Sequence, residues 1–295
     1  MNAAFGLDHP LIAVHDIDAL RERLISIGFN MTPIGKHPWG TSTSLAMFQG
    51  CLLEIMGIYD DTLLDEVPAG DFRFGRHVYE HLQEREGVAL TALHSTNSTA
   101  DAAFAQQAGF QVSGHLEFGR DVTLPDGHQG RTKTTLALLP DRTFPRLSFF
   151  LCQQHRPELI YVPSWLEHPN SVTGYAGASI LAREMDMDVL ASRFSGLYGT
   201  PRLFDGGMVF DTANGKVQIL TKTAVQARNG PLPAAVLAEG APSIVALDLT
   251  YHDETQLEAC LLSSGVSYER QGRAFRLSDP QAFGNTFLNF VPEDC

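Results

Sequence analysis

The sequence predicts an α+β fold made of four tandem modules, each with a strand, a helix and then further strands. Two observations predict it. An apolar strand followed by a short amphipathic helix and a terminal glycine recurs along the chain. These glycines are Gly28, Gly109, Gly199 and Gly265. After each of them come strand-like segments separated by turn residues, of which Asn214-Gly215 is the strongest hairpin signal.

The first module begins with a predicted strand at residues 11–14 and a helix whose apolar stripe is Leu20, Leu24 and Ile25. The strand-like segments TSTSLAMF and CLLEIMGI follow. An insertion from about residue 60 to 86 contains HVYEHLQERE, which favours a helix. The second module repeats the order with ALTALHSTNSTADAAFAQQAGF and then HLEFGRDVTL, RTKTTLALL and LSFFLC.

The third and fourth modules follow a segment from His155 to Gly174 that carries three prolines and is typical of a linker. The third contains ASILAREMDMDVLASRFSGLYG and the fourth IVALDLTYHDETQLEACLLSSGV. A single four-stranded sheet cannot cover its own apolar face, so the modules are expected to pair. We therefore predict an N-terminal domain at about residues 1–160, with modules 1 and 2, and a C-terminal domain at 172–295, with modules 3 and 4.

The composition favours a small-molecule partner. The 295 residues include 34 acidic and 21 basic ones, which gives a formal net charge of -13 without a basic block. Nucleic acid and anionic membranes would be repelled. The N-terminus lacks the features of a signal peptide, so a cytoplasmic protein is expected. Four separated cysteines without a CxxC pair, which are Cys51, Cys152, Cys260 and Cys295, are expected to be reduced thiols.

Three segments resemble the glyoxalase-like proteins of the vicinal-oxygen-chelate superfamily. They are GLDHPLIAVHDIDAL, GKHPWGTSTSLAMFQGCLLEIMGI and FFLCQQHRPELIYVPSW, and the resemblance is strongest over residues 7–160. It implies that paired βαβββ modules form cup-shaped half-barrels. It also implies an open site for a divalent cation (Fe, Mn, Zn or Ni) and isomerase, lyase or ring-opening chemistry on a small oxygen-rich or carboxylated compound.

The resemblance places His9 and Glu54 at metal-ligand and catalytic positions. A metal ion that acts as a Lewis acid needs open coordination positions, and imidazole and carboxylate suit these cations. A carboxylate inside the apolar run CLLEIMGI would also be costly to bury without a partner. The alternatives are a histidine bonded to backbone at a strand start and a solvated carboxylate.

The second module departs from the symmetric pattern of the family. Aligning the helix ends maps His9 near Leu90 and maps LLEI onto residues 152–154. Gln154, His155 or Cys152 is left to supply a third metal ligand, and His155 is the best candidate by residue type, with a linker hydrogen bond as its alternative role. The predicted substrate-binding residues are His37, Trp39, Thr41, Arg120, Arg131, Gln154 and Arg156, because aromatic side chains can line the cup and arginines can hold a carboxylate.

The first strands of the third and fourth modules carry no histidine, and their closing strands QILT and TFLNFV carry no carboxylate. This argues against the extradiol and hydroxyphenylpyruvate dioxygenase activities. The second half is expected to complete the pocket, the domain interface or a dimer, and a homodimer is one candidate assembly. The leading hypothesis is a metal-dependent enzyme. The alternatives are a non-catalytic protein that sequesters a small molecule and a relative that has lost its site.

Overall fold

The structure is a computed structural model that describes residues 5–293, so Cys295 lies outside the described residues. Each module has the predicted strand-helix-strands order. Three of the four module helices begin after a residue whose side chain accepts a hydrogen bond from the first turn: Asp16, Asn97 and Asp253. The repeated pattern in the sequence is therefore a repeated structure.

The N-terminal half consists of modules 1 and 2 with the insertion between them. Module 1 contains β1 (Leu7–Ala13), α1 (Ile17–Ser26), β2 (Gly35–Lys36), β3 (Thr41–Phe48) and β4 (Cys51–Ile58). The insertion contains α2 (Phe74–Glu84). Module 2 contains β5 (Gly87–His94), α3 (Ser98–Gln107), β6 (Gly114–Phe118), β7 (Asp121–Thr123), β8 (Gln129–Arg131), β9 (Thr134–Leu139) and β10 (Phe149–Gln154).

The C-terminal half consists of modules 3 and 4. Module 3 contains β11 (Val172–Leu181), α4 (Met187–Tyr198), β12 (Arg202–Phe204), β13 (Gly207–Thr212) and β14 (Gly215–Leu220), and is followed by α5 (Lys222–Asn229) and α6 (Ala234–Glu239). Module 4 contains β15 (Ser243–Tyr251), α7 (Glu254–Ser264), β16 (Tyr268–Gln271), β17 (Ala274–Leu277) and β18 (Phe287–Pro292). Six short 3₁₀ helices lie in the connections of the part of the chain that the structure describes.

Each pair of modules forms one curled eight-stranded sheet. The orders are β2-β3-β4-β1-β5-β10-β9-β6 and β12-β13-β14-β11-β15-β18-β17-β16, and β7 and β8 form a separate two-stranded ribbon. In the first sheet β1 pairs antiparallel with β5 and parallel with β4. The predicted α+β fold of paired modules is confirmed.

Two features differ from the sequence predictions. Strand β1 begins at Leu7 rather than residue 11, because all seven of its residues are buried between neighbouring strands despite the polar and proline residues at its start. Helices α5 and α6 were not predicted. Gly230 and two prolines divide this segment into pieces too short to show a clear helical period.

The two sheets share one apolar core on the faces that the module helices cover. Tyr175 and Tyr198 also join the halves by donating hydrogen bonds of 2.8 Å to the carbonyls of Leu52 and Phe5. On the opposite, concave face of each sheet, which we call its cup, inserted helices pack. Helix α2 partly fills the first cup, while α5 and α6 pack in the second. No helix within residues 5–293 is long and apolar enough to cross a membrane.

Candidate functional site

The first cup contains a cavity of about 590 Å³. Strand alternation determines which side chains reach it: Leu52, Glu54 and Met56 of β4 line the cavity, while the intervening residues of the strand face the shared core. His9 reaches the cavity from the neighbouring strand β1. The structure thus brings the two predicted ligand positions of module 1 together.

His9 and Glu54 form the polar centre of this cavity. The His9 Nε2 atom lies 3.3 Å from Glu54 Oε2, and the His9 Nδ1 atom lies 2.6 Å from Asp8 Oδ1. Thr43 donates a hydrogen bond of 2.5 Å to Glu54 Oε1. Asp8 thereby orients the imidazole so that Nε2 faces Glu54. The sequence analysis did not name Asp8 or Thr43, although an acidic residue beside His9 in an apolar segment was a usable signal.

Burial and the two carboxylates act in opposite directions on His9. Burial disfavours the imidazolium, but the charge and hydrogen bond of Asp8, with the charge of Glu54, outweigh it and raise the pKa of His9 above its usual value of 6.5. The imidazole of His9 between these two carboxylates therefore favours its protonated form.

A second polar group lies on the wall of the cavity. His37 Nδ1 lies 2.8 Å from Thr41 Oγ1, and His37 Nε2 contacts the Arg120 guanidinium. Burial, followed by the charge of Arg120, holds the pKa of His37 well below 6.5, so His37 is neutral and accepts a hydrogen bond from Arg120. No carboxylate within residues 5–293 forms an ion pair with Arg120. Arg120 is one of the residues that line the cavity.

Aromatic rings enclose much of the remaining space: Trp39, Phe74, Phe118, Phe150 and Trp165. The Trp39 ring stacks on His37 with 4.7 Å between centroids. Its Nε1 atom is buried and makes no hydrogen bond to any described residue. A buried indole donor without a partner is uncommon in a folded protein.

The strand register corrects the sequence alignment of the second module. Val14 N donates to Met56 O in module 1, and Ser95 N donates to Cys152 O at the corresponding place in module 2. Cys152 is therefore the counterpart of Met56, and the counterpart of Glu54 two residues earlier is Phe150. The counterpart of His9 is Leu90, as the sequence alignment expected. Both second-module positions are apolar.

The other candidates from the sequence separate into two groups. Gln154 lines the cavity and accepts a 2.6 Å hydrogen bond from Thr134. His155 is exposed and lies 2.8 Å from Thr135 Oγ1, outside the cavity. The expected third ligand therefore does not reach His9 and Glu54, because β10 ends at Gln154 and the chain turns away.

Arg131 and Arg156 also lie outside the lining of the cavity. Arg131 pairs with Asp121 at 2.9 Å and Arg156 with Glu158 at 2.5 Å, and all four side chains are at least half exposed. The prediction that these arginines bind substrate is not supported by their positions, since neighbouring surface carboxylates already neutralise them. Arg120 is the arginine that the structure brings to the site.

One group of potential metal ligands includes a cysteine. Single donor atoms of Asp8, His9 and Cys152 all lie within 4.8 Å of one another, and all three residues are buried. Burial, and then the charge of Asp8, raises the pKa of the Cys152 thiol well above its usual value. Without a cation the thiol is therefore protonated.

The second cup differs from the first. Its residues at the positions of His9 and Glu54 are Gly177 and Gln218 in module 3 and Ala246 and Asn289 in module 4, as the strand registers show. Arg228 of α5 donates hydrogen bonds of 2.6 Å to Gln218 and 2.7 Å to Asp248. A protein cation thus already occupies the polar centre of this cup.

The fold and the site define a glyoxalase-like protein of the vicinal-oxygen-chelate superfamily. A family model described as a glyoxalase-like domain matches residues 7–197, and the chain belongs to that family. The match covers all of the N-terminal cup and the site in it. No curated protein matches the chain.

Solved structures share the fold at low sequence identity. A hypothetical protein from Staphylococcus aureus has a TM-score of 0.66 and 11% identity, over 97% of this chain and 99% of that one. A mutant of 4-hydroxymandelate synthase from Streptomyces coelicolor has a TM-score of 0.61 and 12% identity, over 99% and 93%. A fusion of a xylose isomerase-like TIM barrel with a 4-hydroxyphenylpyruvate dioxygenase has a TM-score of 0.56 and 11% sequence identity. That alignment covers 99% of this chain and 49% of the fusion protein.

Proposed function

We propose that this chain is a metal-dependent glyoxalase-like enzyme that moves a proton next to the carbonyl group of a small carboxylated compound. The observation that carries the proposal is the convergence of His9 and Glu54 at 3.3 Å in an enclosed cavity. Isomerisation, elimination and ring opening all include such a step. Catalytic and metal-binding roles for His9 and Glu54 are part of this proposal.

The residues at the centre fit a divalent cation. His9 has one ring nitrogen bonded to Asp8, the arrangement by which carboxylates orient metal-binding histidines. Glu54 presents an oxygen beside the other ring nitrogen, so both would hold the ion. When bound, the cation would act as a Lewis acid on the substrate oxygens. Fe, Mn, Zn and Ni all suit imidazole and carboxylate ligands.

The wall of the cavity supports an anionic substrate with an apolar body. Arg120 has free donors and no carboxylate partner within residues 5–293, which suits a substrate carboxylate. His37 accepts a hydrogen bond from the Arg120 guanidinium and so positions it. Gln154, at the end of β10, adds a side-chain amide to the cavity lining. The rings of Phe118 and Phe150 would enclose the apolar part and exclude water. Two fold neighbours are named after 4-hydroxymandelate and 4-hydroxyphenylpyruvate, which are small aromatic carboxylates.

The proton transfer is assigned to Glu54. Thr43 donates a hydrogen bond to Oε1 and so orients the carboxylate, which would take a proton from the substrate carbon on the oxygen that does not hold the ion. His9 Nε2 lies 3.3 Å from Oε2 and helps to hold the carboxylate in position. Asp8, on the far side of His9, keeps the imidazole in this orientation as the proton moves.

Binding without catalysis is the second candidate function. The apolar counterparts Leu90 and Phe150 and the aromatic lining favour it, since half of the symmetric ligand set is missing. A sequestering protein would need the cavity, Arg120 and Trp39 but not the carboxylate of Glu54.

Hydrogen exchange separates these functions without knowledge of the product. The protein, purified without chelators or a metal-binding tag, is first analysed for bound metal, with His9→Ala and Glu54→Ala alongside. Aryl 2-oxo acids are then incubated with it in D₂O, and loss of the protons next to the carbonyl is followed by NMR. We expect Glu54→Gln to slow the exchange about 10²- to 10⁴-fold, the contribution of a general base.

Asp121→Asn, which removes an exposed carboxylate at the cavity mouth, is the matched control and should leave the exchange rate unchanged. Binding of the acids without catalysed exchange in the parent protein would refute the enzyme and support the sequestering function. A cytoplasmic location and a homodimer are also proposed, and neither is needed for this test.

A further inference from the structure

Three side chains of different chemistry meet at the cavity of the first cup, which two of them line. Asp8 and His9 come from β1 and Cys152 from β10, and single oxygen, nitrogen and sulfur atoms of these residues lie within 4.8 Å of one another. Their exposed fractions are 0%, 6% and 1%. Ligand atoms bound to one cation at about 2.0 to 2.3 Å are separated by no more than this distance. Small side-chain movements would close the set around an ion.

The second observation is an unsatisfied charge. Asp8 Oδ1 is bonded to His9, but the buried Oδ2 atom makes no hydrogen bond within residues 5–293. The Nδ1 atom of His94 lies 3.5 Å from it without forming a hydrogen bond. The hydroxyl of Tyr161 is also buried and unpartnered, and its pKa is raised by burial and by the charges of Asp8 and Cys152. A fully buried carboxylate oxygen without a partner is costly, and a cation would satisfy it.

The strand register explains why a cysteine stands in this set. In the second module the positions equivalent to His9 and Glu54 are Leu90 and Phe150, which have no donor atoms. Cys152 lies two residues beyond Phe150 on the same face of β10, and both line the cavity. It is thus a residue of the second module that places a strong metal ligand within 4.8 Å of a His9 ring nitrogen.

We propose that Cys152, together with His9 and Asp8, binds a divalent cation of the zinc and cobalt class. The proposal rests on the proposed function, because it concerns the cation used in the same cup; it keeps His9 as a ligand, puts Asp8 and Cys152 in the place of Glu54, and leaves Glu54 as the base. A thiolate ligand favours such cations over Mg²⁺ or Mn²⁺. Three protein ligands also leave the open position that a catalytic site requires.

The charges and protons of the site balance on binding. The cation replaces the proton of the Cys152 thiol and the proton of the His9 imidazolium, both of which leave to solvent, and a metal-sulfur bond forms without any change in oxidation state. The carboxylate of Asp8 and the new thiolate together carry two negative charges, which match a divalent cation beside neutral His9.

Cobalt binding to the full chain tests this proposal. Protein freed of metal by chelation is incubated with Co²⁺ and dialysed; bound cobalt is measured by elemental analysis, and the near-ultraviolet sulfur-to-cobalt charge-transfer band by absorption. We expect about one Co²⁺ per chain, with the band, in the parent. Cys152→Ser should lose the band and bind cobalt at least about tenfold more weakly, since second-shell changes alone cost 10- to 100-fold.

Cys51→Ser is the matched control, because Cys51 is also buried and Asp8 also raises its pKa, but it is not one of the three clustered residues. It should keep the band. Circular dichroism and thermal unfolding of both variants confirm that each is folded. A second variant, Asp8→Asn, should weaken cobalt binding while the residual complex keeps the band.

The failures of the two proposals are distinguishable. Cobalt bound without the sulfur band, and lost in Glu54→Gln but not in Cys152→Ser, would overturn the thiolate site and leave the His9 and Glu54 set standing. A band that persists in Cys152→Ser would also overturn it. A parent chain that binds no cobalt would overturn both metal assignments, while the hydrogen-exchange test would still decide on Glu54 as the base.

Discussion

Removing the charge of Arg120 should weaken binding of aromatic carboxylates without affecting their neutral analogues. Arg120 is held by His37 and has no carboxylate partner within residues 5–293, so a bound anion would be its principal counter-charge. A hydrogen bond to a charged group contributes about 1.5 to 3 kcal/mol. Each 1.4 kcal/mol corresponds to about tenfold in affinity. We therefore expect Arg120→Met to weaken binding of an aryl carboxylate by about 10- to 150-fold.

The measurement is calorimetric titration of parent and Arg120→Met with an aryl carboxylic acid and its methyl ester. Methionine keeps much of the apolar stem, and the ester removes the charge but keeps the ring, so the coupling between the two changes isolates the ionic contact. Arg131→Met, which alters an exposed arginine already paired with Asp121, is the control and should bind both compounds like the parent. Equal losses for acid and ester in Arg120→Met would refute the anion site.

Two predictions concern stability. Glu239→Ala removes the partner of two arginines with 2% side-chain exposure, Arg85 and Arg146, and should lower the free energy of unfolding by about 3 to 5 kcal/mol in urea titrations. Glu158→Ala breaks an exposed pair and should cost less than about 1 kcal/mol; similar losses in both variants would contradict the argument. Because folding raises the pKa of His9, protonated His9 stabilises the folded protein below pH 6.5, and this contribution is lost as the pH rises through the pKa of His9 in the folded state. Over that pH range the chelated parent protein should therefore lose stability relative to His9→Gln. Parallel stability curves for these two proteins would show that His9 does not titrate as inferred.

The fold was largely predictable because its signal is local and repeated four times. An apolar stripe and a terminal glycine predict each module helix, and a capping side chain marks the start of three of them. These signals come from residues that are close together in the sequence. Helices α5 and α6 were not predicted because Gly230 and the adjacent prolines interrupt the helical period of apolar residues. Their apolar residues Val225 and Val236 are held by packing in the second cup and not by local helix preference.

The site was predictable only where one strand determines it. His9 and Glu54 lie on the cavity side of their strands, and a charged residue in an apolar run already indicated a special environment. Asp8 was missed because strict alternation would turn it away from His9, whereas the irregular pairing of β1 with β5 between Leu7 and His9 brings the two side chains together.

The third position shows why register decides the chemistry of the second module. Placing LLEI against residues 152–154 was wrong by two or more residues, and a shift of two keeps the same face of a strand, so the pattern of apolar residues could not reveal it. Only the bonds from Val14 to Met56 and from Ser95 to Cys152 fix the alignment. They make Phe150 the counterpart of Glu54 and place the thiol of Cys152 two residues nearer the end of β10. The chemistry of this cup therefore depends on whether a thiolate can replace the missing ligands.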